Sequence, residues 1–224
     1  MPPTRESAML RQLLVVSLVF LAAYFGLPAL GLALAGPAAV ALASLAAVVM
    51  LRRDGESWPA LGLARPTRPL RLLAASLGIA VLGYLAAVVA VVVATKVLGW
   101  PPMASARLGA VQGNLPALLG ILAIAWTTAA LGEELLFRGF LQGRLQALLG
   151  ERRGAGLLAA AIQALVFGFA HAYQGPTGIL VTGSLGLVFG LVCLRTKSLW
   201  PLVIAHGLVD TLSLLALYAG RLPA

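Results

Sequence analysis

The sequence predicts an all-α, polytopic integral membrane protein, a bundle of about seven transmembrane helices with six to eight compatible with the pattern. Three observations lead there. The 224 residues are 61% hydrophobic and only 10% charged, against roughly 45–50% apolar and about 25% charged in an ordinary soluble domain. A single soluble core would leave too little charge to cover its surface. Long uncharged stretches recur along the chain, one running from residue 12 to residue 51. Cys193 is the only cysteine, so a disulfide scaffold is excluded.

A spanning helix needs about 20 mainly apolar residues. Residues 12–51 hold two spans, with a break expected near Gly26-Leu27-Pro28 or Gly36-Pro37, because Gly and Pro punctuate helices. The run from Leu13 to Ala35 is longer than the 7–15 residue core of a cleaved signal peptide, so it is expected to stay as a span. A polar connector, residues 52–71, precedes a third span over about 72–95. A fourth helix starts near Leu115 and continues to about Leu149. Three more spans follow, over about 155–172, 178–194 and 199–219. The chain divides into N-terminal helices and connectors (1–114) and a C-terminal core (115–219), within one membrane domain.

The charge of +9 would suggest nucleic acid in a soluble protein. Here the basic residues sit between apolar segments, so no nucleic-acid partner is expected. Arg5, Arg11, Arg52, Arg53, Arg65, Arg68, Arg71, Arg144, Arg152, Arg153, Arg195 and Lys197 fall on one side of the seven-span layout. Lys96, Arg107 and Arg221 fall on the other, and Arg138 lies inside a span. Twelve against three, correctly alternating, places the N-terminus in the cytoplasm by the positive-inside rule. The Ala, Leu, Gly and Val usage fits a bacterial plasma-membrane protein.

A charge at a helix centre costs about 2.5–3.5 kcal/mol on insertion scales, so a cluster of them calls for internal pairing or a water-filled cavity. Three places stand out. In Gly132-Glu133-Glu134-Leu135-Leu136-Phe137-Arg138, Glu134 and Arg138 share a face at i, i+4 and can pair. Glu133 sits about 100° around the helix, without a counter-ion on its own helix, and can act as a general base. An intrahelical salt bridge ending a long helix, with Glu133 in interfacial water, is the plainer alternative. In Phe167-Gly168-Phe169-Ala170-His171, the Phe167 ring can pack beside the imidazole, and His171 taken alone is as readily a helix-end residue. In His206-Gly207-Leu208-Val209-Asp210, Asp210 can orient the imidazole, both can reach a substrate or ion, or the pair locks helices together. Both histidines of the chain and three of its seven acids thus lie in or at the expected spans of the C-terminal half. A shared polar cavity concentrates residues in this way, and they are the groups that water activation needs. No His-Glu-x-x-His and no Gly-x-Ser-x-Gly is present.

Glu133-Glu134-x-x-x-Arg138, then Phe167-x-x-x-His171, then His206-x-x-x-Asp210, on successive membrane helices, resembles the CAAX prenyl protease and bacteriocin-processing (CPBP, Abi) family of intramembrane proteases. The segment Leu194–Pro201 before His206 is similar to the family's as well. The resemblance covers residues 115–219. It implies an endopeptidase in which Glu133 and His171 activate a water, His206 and Asp210 stabilise the oxyanion or position the substrate, and Glu134, Arg138 and Phe167 hold the site together. The family's last position is often Asn, and an Asp210 carboxylate can donate to an oxyanion only when protonated. Glu133, His171 and His206 could supply three zinc ligands with an open fourth position; a metal-free glutamate–histidine mechanism is equally allowed. The implied partner is a peptide or membrane-associated protein, the eukaryotic precedent being one lipidated at its C-terminus. A non-catalytic scaffold or immunity-type protein of the same fold is the alternative, and a small carrier a third reading. In straight helices of the expected spans, His171 would lie far from Glu133 and His206. Convergence therefore requires a recessed or tilted helix, and the link from His171 to Gly178, with Gly175-Pro176, is the place for one.

Overall fold

The computed structural model describes residues 4–104 and 106–221; residues 1–3, 105 and 222–224 lie outside it, as do the side chains of residues 106–108, Arg107 of the charge count among them. Seven helices form the bundle: α1 (Arg5–Ala29), α2 (Ala35–Arg53), α3 (Pro69–Val97), α4 (Leu115–Leu149), α5 (Ala155–Ala170), α6 (Gly175–Thr196) and α7 (Trp200–Tyr218). No strand occurs among the described residues. Six of the helices are long and apolar enough to cross a bilayer, and α5 is the short exception at 16 residues. The chain is a polytopic helical membrane bundle. Many leucines and valines, such as Leu14, Leu18, Leu77, Val81, Leu158 and Leu165, are exposed on its outer faces, where lipid rather than water is their solvent.

The helix boundaries follow local chemistry. The Thr4 hydroxyl caps α1 by accepting from the Ser7 N–H, and Asn114 caps α4 by accepting from Ala117. The first break falls at residues 30–34, between the two expected sites: Pro28 lies inside the last turn of α1 and Gly36-Pro37 inside the first turn of α2. Both prolines sit near helix ends, where their effect on the ladder is small. The fourth helix has the expected bounds.

α4 is the centre of the bundle. From Ala125 to Gln142 its backbone bonds run i→i+5 instead of i→i+4, a winding that often accompanies functional sites. From Gly132 to Phe140 nearly every residue is buried, because α2, α5, α6 and α7 surround this stretch. Gly132 lets α2 approach closely: a Cβ there would lie 3.0 Å from Val40 Cγ1. The Ser44 hydroxyl of α2 donates to the Gly132 carbonyl at 2.9 Å. Gly139 does the same for Leu199, the residue before α7, with a Cβ position 3.0 Å from Leu199 Cδ1.

α5 and α6 form a tight hairpin. A Cβ on Gly168 would lie 2.8 Å from the Ile179 carbonyl oxygen, and one on Gly186 3.2 Å from Ala164 Cα. Close backbone approach through small residues is how membrane helices gain packing contact where no hydrophobic drive exists. At about 1.5 Å per residue α5 is about 24 Å long, short of the roughly 30 Å hydrocarbon core. Its tip, with a single 3-10 turn at Ala172–Gln174 before α6, therefore ends inside the depth spanned by α3, α4 and α7. This recess resolves the expected misfit between His171 and the other polar residues.

Candidate active site

Above the recessed α5–α6 tip lies a cavity of about 920 Å³. Its walls are largely apolar, with Tyr84, Val88 and Val91 from α3, Ile121 and Ile124 from α4, and Leu212 from α7. At its floor it meets Glu133, Arg138, Phe167, His171, His206 and Asp210. The three sequence motifs, 77 residues apart from first acid to last, thus border one space.

The two adjacent glutamates take different parts. Glu134 is fully buried and accepts from Arg138 Nη1 at 2.9 Å and from His206 Nδ1 at 2.8 Å. Arg138, 2% exposed, has its guanidinium carbon 4.4 Å from the Phe167 ring centre and 5.5 Å from that of Phe189. A planar cation between two aromatic faces keeps an attractive environment after losing its water. Glu133 is partly exposed to the cavity, its Oε2 3.9 Å from His206 Nε2, too long for a direct hydrogen bond.

Each histidine has one nitrogen fixed. His171 caps the end of α5, and its Nδ1 lies 2.9 Å from the Phe167 carbonyl oxygen. A carbonyl oxygen only accepts, so Nδ1 carries the hydrogen and Nε2 keeps its lone pair. The ring packs on Phe167 at 4.8 Å between centres. For His206, the Nδ1 contact to the Glu134 carboxylate makes that nitrogen the donor. Nε2 is left facing Glu133 and, at 3.7 Å, Asp210 Oδ2. The residue that orients His206 is therefore Glu134, from another helix, and not Asp210 one turn away. Asp210 stands beside the free nitrogen, more exposed to the cavity than Glu133 or His206.

Sequence reasoning misses Phe189. It is 2% exposed, shares Arg138 with Phe167, and lies 5.9 Å from the His206 ring centre, nearly perpendicular to it. Gly83 of α3 makes room for it, with a Cβ position 3.1 Å from the phenyl ring. The only available signal is that Phe189 is the sole aromatic residue of α6. Trp126 is the other omission: its indole donates to the Thr211 hydroxyl at 3.1 Å and presses on Gly207, whose Cβ position is 2.6 Å from the ring.

The resemblance allows either zinc on Glu133, His171 and His206 or a metal-free mechanism. Among the described residues no group of three or more His, Cys, Asp or Glu side chains is placed to hold a metal ion.

Residues 115–212 match the family of type II CAAX prenyl endopeptidases, Rce1-like. The matched stretch runs from the first residue of α4 into α7 and contains all three motifs. It agrees with the resemblance carried by Glu133-Glu134-x-x-x-Arg138, Phe167-x-x-x-His171 and His206-x-x-x-Asp210, and it supports an intramembrane peptidase of the CAAX type. No curated protein and no solved structure matches the chain.

Proposed function

We propose that the protein is an intramembrane endopeptidase of a bacterial plasma membrane, its N-terminus in the cytoplasm, that hydrolyses a peptide bond with a water activated by Glu133 and His171. The observation that carries this is the common cavity: a carboxylate without a partner on its own helix, an imidazole with a free Nε2, and a second, firmly held histidine all border one space large enough for a peptide segment.

In this reaction Glu133, aided by His171 Nε2, takes a proton from the water as its oxygen bonds to the carbonyl carbon. The C=O electron pair moves to the oxygen. His206, held at Nδ1 by Glu134, hydrogen-bonds that oxyanion through Nε2 when this nitrogen carries a proton, with the Asp210 carboxylate beside it to favour that protonated ring. When the tetrahedral species collapses, the C–N bond breaks and the proton held at Glu133 passes to the leaving amine. General acid–base transfer of this kind contributes about 10²–10⁴-fold, and oxyanion stabilisation about 10²–10³-fold. Arg138 and Phe167 do not touch the reacting atoms; they position Glu134 and His171. The apolar walls favour a substrate whose scissile region is itself apolar, whether a peptide or the end of a membrane-associated protein.

Hydrolysis of a peptide pool by purified protein in detergent tests this. Glu133→Gln and His171→Ala should each lower turnover by at least about 10²-fold while keeping the wild-type helical signal and melting temperature. Folded variants of both that cleave at the wild-type rate would overturn the peptidase reading in favour of a scaffold of the same fold.

A further inference from the structure

The two ends of the bundle are unlike, and the cavity belongs to one of them. At the first end lie the N-terminus of α1 and the connectors α2–α3, α4–α5 and α6–α7. These are tied to one another by the Arg144–Glu56 ion pair at 2.9 Å and by the Leu199 N–H donating to the Gly62 carbonyl at 2.8 Å. Gln12 of α1 bonds Asp54 there as well. At the second end lie the connectors α1–α2, α3–α4 and α5–α6 and the chain after α7. These too are tied together. The Ala104 N–H donates to the Gln174 carbonyl at 3.0 Å, Thr177 Oγ1 to the Pro101 carbonyl at 2.7 Å, and the Gly113 N–H to the Tyr218 carbonyl at 3.1 Å.

The cavity is lined from the second end only. Beyond the helices it meets Met103, Gln174 and Arg221, all of the second end, and none of its lining comes from the three connectors of the first. On the first-end side of that lining the buried Gln142 and Gln163, neither of them a lining residue, tie α4 and α5 to α6. Their amide N–H groups donate to the Gly190 and Gly186 carbonyls at 3.0 and 2.7 Å.

Charge gives the ends their sides of the membrane. The first end carries twelve Lys and Arg residues, all but Arg144 exposed, whereas the second end carries three by sequence. Short connectors rich in Lys and Arg stay in the cytoplasm. We infer that the cavity opens on the extracytoplasmic face, and that the peptide reaching Glu133 and His171 is presented from outside. The substrate class is thus an apolar segment of an exported or outward-facing membrane-anchored protein, rather than a chain displayed in the cytoplasm. The word substrate rests on the peptidase reading above; the direction of opening does not.

Thiol labelling separates the two. In a Cys193→Ala background, Met103→Cys and Gln174→Cys mark the second end, and Arg65→Cys and Arg153→Cys the first. A membrane-impermeant maleimide added to intact cells should label the former pair, and label the latter only after permeabilisation. Labelling of Arg65→Cys and Arg153→Cys in intact cells, with or without the other pair, overturns the inference. So does failure of Met103→Cys and Gln174→Cys to label before permeabilisation. An alkaline phosphatase fused after Ala224 should be active outside the cytoplasm; an inactive fusion overturns the orientation even where a cysteine variant is not made. In proteoliposomes, cleavage of an externally added fluorogenic apolar peptide pool should rise in proportion to the molecules whose Gln174→Cys labels from outside. Cleavage that instead follows the opposite population overturns the access route. Labelling as expected with no cleavage in either population overturns the peptidase reading and leaves the orientation standing.

Discussion

Glu134 is the residue on which most of the site's geometry converges, and its removal has a calculable cost. It is fully buried, and a single oxygen, Oε1, accepts from both Arg138 and His206. Glu134→Ala leaves the Arg138 guanidinium, 2% exposed, with no counter-ion. Breaking a buried ion pair by deleting one partner costs about 3–5 kcal/mol, because the surviving charge is uncompensated. The lost bond to His206 adds little, since interhelical hydrogen bonds in a membrane protein average about 0.6 kcal/mol. Most of the loss therefore belongs to Arg138, and it should be recoverable. Replacing both partners, as Glu134→Leu with Arg138→Met, removes the stranded charge and should restore most of the stability. Activity should not return, because His206 Nδ1 has lost the carboxylate that orients it.

Unfolding by sodium dodecyl sulfate in mixed micelles, followed by helical circular dichroism, gives the stabilities; peptide hydrolysis gives the other axis. The expected pattern is an unstable, inactive single variant and a stable, inactive double variant. A Glu134→Ala protein within about 1 kcal/mol of wild type would refute the buried-pair argument. A double variant with wild-type turnover would refute the assignment of His206 orientation to Glu134.

Three further outcomes follow from the packing. Phe189→Leu should keep the fold with a loss of about 1–2 kcal/mol, since a ring is exchanged for a smaller apolar side chain, but should slow hydrolysis by lowering kcat more than it raises KM; unchanged kcat would make the contact with His206 incidental. Gly207→Ala should drive a methyl into the Trp126 ring, costing about 1–3 kcal/mol as overpacking does, and should shift Trp126 fluorescence; a Gly207→Ala/Trp126→Leu protein should regain the loss. Gly168→Ala meets the Ile179 carbonyl, which is backbone and cannot yield, so it should destabilise more than Gly120→Ala, where nothing lies within 4 Å; equal melting temperatures for the two would sink the close-hairpin argument.

Much of this arrangement is legible in the sequence, for a physical reason. In a chain with 10% charge, each polar residue inside an apolar run carries a penalty that must be offset, so Glu133, Glu134, Arg138 and Asp210 stand out with the two histidines. The i, i+4 spacing foretells the Glu134–Arg138 pair, because that contact is local. The partner of His206 is not foretold, because Glu134 is 72 positions away and local spacing offers the nearer Asp210 instead. Phe189 is hidden for the opposite reason: an aromatic residue in an apolar helix costs nothing, and being the sole aromatic residue of α6 is its one faint mark. The recess of α5 is only half visible. Its 16 residues are apolar like their neighbours, and only the structure shows His171 at its end bordering the same space as the acids.

That shortness ties the chemistry to the membrane setting. A hydrolytic site within a bilayer needs water at a depth where lipid excludes it, and a helix that stops early leaves such a space without opening the bundle to lipid. Here α5 stops at Ala170, and the Tyr24 hydroxyl of α1 donates to its last carbonyl at 3.0 Å, supplying from the N-terminal helices a partner that an exposed helix end would otherwise seek in solvent. Residues 1–114, outside the family match, also supply Ser44 behind Glu133, Gly83 behind Phe189, and the Gly62 carbonyl that caps the start of α7. The N-terminal helices are therefore part of what holds the site, although none of the three motifs lies in them. Tyr24→Phe isolates one such contact. It should leave Glu133 and His206 undisturbed, loosen the α5 end that carries His171, and reduce hydrolysis chiefly through kcat. A Tyr24→Phe protein with wild-type kcat would show that the recess is held by the α5–α6 hairpin alone.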